Sequence, residues 1–211
     1  EAVSLNSPVA GGRGAEDGDA FLDRGAPMLA RLTNTLVRPA DVETYLAERA
    51  DVTRIRVLDL YNPATPSVPP GNAPGYVTAV VATGAGGTLT DAAKDLIAAD
   101  LRNRMHAGLI VNVVDGDVED RDVAVTVLRF RTADEAAVRA AVEAAVRAYL
   151  DPDVWPWDKV IRVNELIARV DAAAGVDAVL DVTAPDGDVI LNGYAPLAKA
   201  GTVTVTVQAP A

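Results

Sequence analysis

The sequence predicts an α+β fold: two small α/β units in series, each with a short mixed or antiparallel sheet packed by helices. Segments with the 3.6-residue apolar period of amphipathic helices are interspersed with segments that alternate as strands do. Stretches rich in proline and glycine separate them. A short helix followed by a strand, predicted at 41–60, recurs at 164–182 as a weak internal repeat. The 211 residues are enough for two such units, each with its own core.

The chain is predicted to divide at two points. Residues 1–15 form a linker from an upstream segment, residues 16–117 a first α+β domain and residues 118–211 a second. The stretch 6–27 combines glycines and acidic residues with few side chains that could build a core. It lacks the GxxxxGK[ST] pattern of a phosphate loop and the spaced oxygen ligands of a calcium loop. A joint between folded pieces is therefore favoured.

The first domain is predicted from local signals at its element ends. Gly25 and Pro27 should interrupt a helix over 19–32, and Pro39 suits the first turn of the next helix. The segment 61–75 holds five of the thirteen prolines, so we expect a long extended loop there. The predicted elements are helices 19–32 and 39–50, a strand over 52–60, a strand over 76–82, a helix with a capping box at Thr88 and Asp91 that ends at Gly108, and a strand over 109–114.

The second domain has the clearest strand of the chain, 123–130, in which valines alternate with other residues. The acidic stretch 115–122 before it is predicted to be a solvated turn. The remaining predictions are a helix over 133–150 with a capping box at Thr132 and Glu135, a helix over 164–174 capped by Asn164 and stopped by Gly175, strands near 176–183, 188–192 and 202–208, and a hairpin turn at Asp186-Gly187.

Composition disfavours several function classes. The formal net charge of −11 opposes binding to a phosphate backbone, so no nucleic-acid partner is expected. The absence of cysteine and the presence of a single histidine, His106, argue against thiolate catalysis and against Cys- or multi-His metal centres. Three serines in irregular stretches leave little material for a catalytic triad. No apolar run approaches the roughly 18 to 20 residues of a membrane span, so membrane insertion is not expected.

Two groups of residues remain as candidate sites. Trp155 and Trp157 flank a proline and could stack on sugars, but a core plug or a protein contact is the favoured interpretation. The carboxylates of 115–122 could approach Ca²⁺, yet the stretch lacks the glycine and late glutamate of an EF-hand loop. We therefore assign no catalytic, cofactor-binding or metal-binding residue and expect no small-molecule substrate.

Several segments, in this order, resemble the baseplate J-like family of phage tails and related contractile injection systems. They are "NSPVAGGRGAED", "FLDRGAPMLARL", "VRPADVETYLAERADVTRIRVL", a G-Y-V return after the proline-rich loop, "RNRMHAGLIVNVVDGDVEDRDVAVTVLRF" and "YLDPDVWPWDKVIRVNELIARVDAAAGVDAV". The matching residues are Pro8, Gly11, Gly12, Glu16, Arg24, Pro27, Asp41, Tyr45, Val52, Trp157, Leu166, Ile167, Gly175 and Val176. Relatives in the family are expected to continue upstream of the sequence seen here, and this chain has Asp158 and Lys159 where many relatives carry a glycine soon after the tryptophan.

The resemblance implies a structural protein without enzymatic activity. Such a protein would be a wedge-type subunit in the virion tail baseplate, assembled in the host cytoplasm, that links the tail hub to peripheral baseplate or fibre proteins. Its partners would be other baseplate and tail proteins in a symmetric, multi-copy assembly. The alternative is a host-surface carbohydrate-binding or hydrolytic tail domain, suggested by the tryptophan pair and the acidic surface. The predicted interface residues are Tyr61, Pro69, Pro70, Tyr76, Trp155, Trp157 and Tyr194.

Overall fold

Helices and strands follow one another closely along residues 35–210, the part of the chain that the computed structural model describes. These residues lie almost entirely in a compact unit that spans Leu36–Ala211. The described helices are α1 (Pro39–Ala47), α2 (Asp91–Arg104), α3 (Glu135–Tyr149) and α4 (Val163–Asp171). The described strands are β1 (Arg54–Asp59), β2 (Tyr76–Ala82), β3 (Ile110–Asp115), β4 (Asp117–Arg129), β5 (Val160–Ile161), β6 (Val176–Ala184), β7 (Val189–Ile190) and β8 (Pro196–Gln208).

The first sheet has the order β1-β2-β3. β1 runs antiparallel to β2, whereas β2 and β3 are parallel because α2 carries the chain back across the sheet. Apolar side chains of α1, α2 and all three strands build its core. Buried members of this core include Val42, Leu46, Val57, Ala79, Val81, Ile97, Leu101 and Val111.

The second sheet has the order β6-β4-β8, with β6 antiparallel and β8 parallel to the central strand. The alternating valines of β4, Val123, Val125 and Val127, are buried in its core. Helix α3 contributes Val138, Val142 and Val146, which lie one turn apart on a single helix face. Strands β5 and β7 form a separate two-stranded antiparallel ribbon.

The α+β fold class with small mixed sheets is confirmed. The proline-rich segment 61–75 is neither helix nor strand, as predicted. The predicted linker 1–15 and helix 19–32 lie outside the described residues. The domain boundary between residues 117 and 118 stays a prediction. No helix in the described part is long and apolar enough to cross a membrane.

The predicted caps of α2 and α3 are each wrong by two residues. Thr90, not Thr88, caps α2 by accepting a hydrogen bond from the Ala93 amide at 3.3 Å. Asp134, not Thr132, caps α3 through the Ala137 amide at 2.9 Å. In each case the cap is the last residue with extended backbone angles, and only from there can its side chain reach the free amides of the first turn.

Two further local predictions are wrong. The acidic stretch 115–122 is mostly strand, because β4 begins at Asp117 and pairs with β8 from its first residue. Asp186-Gly187 does not close a hairpin, since β6 pairs with β4 while β7 pairs with β5. Both errors come from partners that are distant in sequence.

Candidate interaction surface

The described residues form a cleft of about 1030 Å³, here called the tyrosine cleft. Its lining combines the end of β1, the start of the proline-rich loop, the β3–β4 junction and the segment that precedes β8. Lining residues used below are Tyr61, Pro63, Asp117, Lys159, Ile190 and Tyr194. The cleft therefore joins parts of the chain on both sides of the predicted domain boundary.

Tyr61 and Tyr194, both predicted as interface residues, meet in the tyrosine cleft. Their ring centroids are 5.3 Å apart and the planes are inclined by 66°, an edge-to-face arrangement. Tyr61 is held by the fully buried Thr78, whose hydroxyl donates to the Tyr61 carbonyl at 2.7 Å. Tyr194 follows Gly193, whose φ of +77° favours glycine. Together the rings form a fixed aromatic wall.

Gly193 is also required by close packing. A Cβ atom at this position would lie 1.9 Å from a carboxylate oxygen of Asp117, so any side chain would displace that carboxylate. The segment before β8 thus lies directly against the first residue of β4.

The charged residues that line the tyrosine cleft differ in whether they already have a partner inside the protein. The Lys159 ammonium lies 4.2 Å from the centroid of the Tyr194 ring, a cation–π contact. Asp115 binds Lys94 at 2.7 Å and accepts from the Leu89 amide. Asp117 makes no ion pair within residues 35–210; burial, with a smaller contribution from Glu119, raises its pKa above the usual value. The cleft therefore offers a partner one carboxylate that is not already engaged.

Two further acidic residues of 115–122, Glu119 and Asp122, make contacts inside the fold. Glu119 pairs with Arg121 and accepts a hydrogen bond from the Asn192 amide. Asp122 accepts from the Thr202 amide at 2.7 Å. Among residues 35–210, no cluster of three or more histidine, aspartate or glutamate side chains is arranged to hold a metal ion. The carboxylates instead tie β4 to the segments on either side of it.

The two tryptophans occupy different environments. Trp155 is 3% exposed, and its indole N–H donates to the Asp158 carbonyl at 3.0 Å. It also packs edge-to-face against Tyr149. This is the core plug that the sequence favoured. Because Trp155 is buried, its ring face is not available for stacking on a sugar.

Trp157 lies at the boundary between two of the apolar clusters and has a φ of +62°. The Arg54 guanidinium stands 5.1 Å from the centroid of the Trp157 ring. Arg54 also donates to the Asp153 carbonyl at 2.7 Å and to the Trp155 carbonyl. Sequence reasoning missed Arg54 as a linking residue. A signal was present in the sequence of β1, where the alternation of apolar and polar residues is imperfect and arginines lie next to apolar residues. It could have indicated that one of these arginines is partly buried.

The other predicted interface residues lie elsewhere. Pro69, Pro70 and Tyr76 are not part of the lining of the tyrosine cleft. Ile190, which the sequence analysis did not select, lines it and is 75% exposed. Ile190 therefore adds exposed apolar area next to the two tyrosine rings. The assignment of the seven predicted residues to an interface stays a prediction.

The comparisons with known proteins agree with the sequence motifs. Residues 121–206 match the family model described as the Baseplate J-like protein C-terminal domain, a range that includes most of β4 and nearly all of β8. No curated protein matches the chain in sequence.

A solved structure with a similar fold is described as the cryo-EM structure of the anti-feeding prophage (AFP) baseplate, sixfold symmetrised. The TM-score is 0.56 at 11% identity, and the match covers 90% of this chain and 42% of that chain. At this identity the likeness concerns the fold, and the present chain spans less than half of the matched chain. The matches confirm the resemblance that the motifs indicated: this chain is similar to baseplate J-like proteins, and residues 121–206 carry the likeness to their C-terminal domain.

Proposed function

We propose that this protein is a structural component of the baseplate of a phage or a phage-tail-like contractile injection system. The observation that carries the proposal is the family match over residues 121–206, which includes the whole arrangement of β6, α3 and α4 around β4. The similar fold of a chain in the AFP baseplate supports it. Within such a baseplate the protein would be a wedge-type subunit that links the tail hub to peripheral baseplate or fibre proteins, without catalysing a reaction.

The partners would be other baseplate and tail proteins in a symmetric assembly of several copies, with the protein located in the virion tail after assembly in the host cytoplasm. The net charge of −11 agrees with protein partners rather than nucleic acid. A ring of heterologous contacts requires two different faces on each subunit. We propose the tyrosine cleft as one such face.

The tyrosine cleft has the features of an interface hot spot. Aromatic anchors that are already fixed lose little conformational entropy on binding. Tyr61 and Tyr194 brace each other, and Lys159 restrains the Tyr194 ring. Ile190 adds exposed apolar area, while Asp117 provides a carboxylate that a basic partner group can pair with. We include the predicted residues Pro69, Pro70, Tyr76 and Trp157 as secondary candidates. Trp155, predicted with them, is buried and would contribute only by supporting its neighbours.

The proposal is tested in particles. A producing strain deleted for the gene should be complemented with the wild-type chain or with Ile190→Asp, and the particles examined by negative-stain imaging and by immunogold labelling of the chain. We expect label at the baseplate for the wild type. For Ile190→Asp we expect incomplete tails, because a charge in the apolar part of the cleft opposes desolvation.

Leu96→Asp is the matched control, since Leu96 is 69% exposed on α2 and is not part of the cleft lining. It should support complete particles. Complete particles from the deleted strain, or label absent from the baseplate, would overturn the proposed function. Normal assembly with Ile190→Asp would overturn only the assignment of the cleft.

A further inference from the structure

We propose that the outer edge of β8 pairs with β8 of a second copy of this chain. The two strands would run antiparallel across a two-fold axis and join the two sheets into one of six strands, in the order β6-β4-β8-β8-β4-β6. This inference does not rest on the proposed function, because a two-fold pair can form inside or outside a baseplate.

The argument begins with how the other sheet edges are protected. On β1, the Glu43 carboxylate accepts from the Val57 amide at 2.9 Å, and the proline-rich loop donates from Gly71 to the Asp59 carbonyl at 3.0 Å. On β3, Arg102 donates to the Val111 carbonyl at 3.2 Å. Side chains and a loop thus use edge groups that could otherwise pair with a foreign strand.

β6 is protected in a different way. Its pairing with β4 is interrupted by three register shifts, and it carries the exposed residues Asp177 and Asp181. Bulges twist an edge and charged side chains repel an incoming strand, so both features discourage pairing.

The second half of β8 lacks all of these features. Near its middle, the Ala200 amide donates to the Leu150 carbonyl at 3.0 Å and the Thr202 amide to Asp122. From Val203 to Gln208 the strand has no charged residue, proline or glycine, and its register with β4 is unbroken. Within residues 35–210, no strand pairs with its outer edge.

The pattern of β8 is complementary to itself. Threonines at 202, 204 and 206 are exposed on one face, whereas Val203, Val205 and Val207 belong to the apolar core on the other. An antiparallel pair centred on Thr204 places Thr202 opposite Thr206 and Val203 opposite Val205, so the matched pairs extend over residues 202–206. Such pairs are favourable across strands, and the side chains stay on matching faces. The Thr202 amide is already bound to Asp122 and stays outside this seam.

Charge favours a second copy at this edge. Two chains of net charge −11 repel each other, so they can approach most readily along a strip without carboxylates. The segment 200–208 is such a strip, and its threonines can hydrogen-bond across the seam. β8 of another copy presents the same strip, which also has no carboxylate and carries threonines that can hydrogen-bond.

Disulfide trapping tests the pairing in the full chain. The protein has no cysteine, so Thr204→Cys introduces a single thiol that lies opposite its counterpart at the proposed axis. We expect mild oxidation to produce a covalent dimer on a denaturing gel. Thr183→Cys, at an exposed position on β6, is the matched control and should remain monomeric on the same gel. A Thr204→Cys variant that does not cross-link would contradict the proposal.

A second variant tests the energetics without a covalent bond. Thr204→Lys places two ammonium groups opposite each other and should raise the dimer dissociation constant at least about fivefold, as measured by analytical ultracentrifugation. Thr183→Lys should leave it unchanged, and circular dichroism should show that both variants are folded.

A wild-type chain that stays monomeric at high concentration would overturn the proposal. Protected β8 amides in such a monomer would indicate that another segment of the same chain covers the edge, which also overturns it. Either result leaves the baseplate assignment standing, because that assignment is tested by the position of the chain in particles.

Discussion

Arg54 shows how one side chain can join distant parts of this fold. It lies at the start of β1, yet its guanidinium donates to the Asp153 and Trp155 carbonyls and stands over the Trp157 ring. Burial lowers the pKa of Arg54 from its usual high value, and the charges of Asp153 and Asp151 act in the opposite direction. The first sheet is thereby tied to the loop that precedes β5.

Replacing Arg54 should destabilise the protein through the carbonyls left without a donor. We expect Arg54→Met to lower the free energy of unfolding by about 1–3 kcal/mol, the usual cost of an unsatisfied buried group. Urea unfolding followed by tryptophan fluorescence measures it, since both tryptophans lie at this site. Arg56→Met, at an exposed position on the same strand, should change stability by no more than about 0.5 kcal/mol. Equal losses for the two variants would contradict the linking role.

Tyr149 should make stability depend on pH in the alkaline range. Its hydroxyl donates to Glu165 at 3.2 Å, and burial, followed by the charge of Glu165, raises the pKa of Tyr149 from 10.0 to about 12. Above pH 10 the unfolded chain releases this proton while the folded chain retains it. The stability contribution is therefore complete below pH 10 and is lost as the pH rises towards 12.

Urea midpoints at pH 9 and pH 11 test this dependence. The wild type should lose stability between the two values, and Tyr149→Phe should lose less. Tyr76→Phe, which leaves Tyr149 in place, should retain the wild-type slope. If Tyr149→Phe and wild type have the same pH dependence, the burial of this hydroxyl does not govern it.

At the scale of elements, the turn from α4 into β6 depends on one glycine. α4 ends at Asp171, and Gly175, with a φ of +85°, directs the chain into β6. A Cβ at Gly175 would lie 2.7 Å from a methyl carbon of Val138 and 3.2 Å from the Cβ of Ala133. The sequence predicted this glycine as a helix stop, but the contact with α3 could not be inferred from local pattern.

Two alanine substitutions separate backbone strain from packing. Gly108 has a similar φ of +97°, but a Cβ there would have nothing within 4 Å. Gly108→Ala should therefore cost about 1 kcal/mol from the left-handed backbone alone. Gly175→Ala should cost about 1–3 kcal/mol more because it also overpacks the core against α3. Thermal unfolding of both variants measures the difference, and similar losses would show that Val138 adjusts without cost.

At the scale of the whole molecule, each main sheet has its own apolar cluster. A third, smaller cluster unites Leu58, Tyr61 and Val80 from the first part with Ala195 from the last. Only Gly116 separates β3 from β4. The predicted boundary between residues 117 and 118 therefore falls just inside β4, one residue beyond this short connection. The tyrosine cleft lies beside the third cluster.

The order of elements was predictable because its signals are local. Proline at 39 begins a helix, five prolines keep 61–75 irregular, and alternating valines mark β4. The helical spacing of apolar residues and the alternation of a strand both depend on neighbours within a few residues. The sequence displays these neighbours directly. The motif order over the chain was similarly sufficient to indicate the baseplate J-like resemblance.

Pairing and contact depended on the folded chain. Nothing local says that β8 joins β4 across more than seventy residues, that Asp122 satisfies Thr202, or that Arg54 reaches the Trp155 carbonyl. These contacts form only when the cores of the two sheets bring distant segments together. The amino-acid pattern thus specifies which segments are helix or strand, while long-range packing decides which edges stay open and where the aromatic cleft lies.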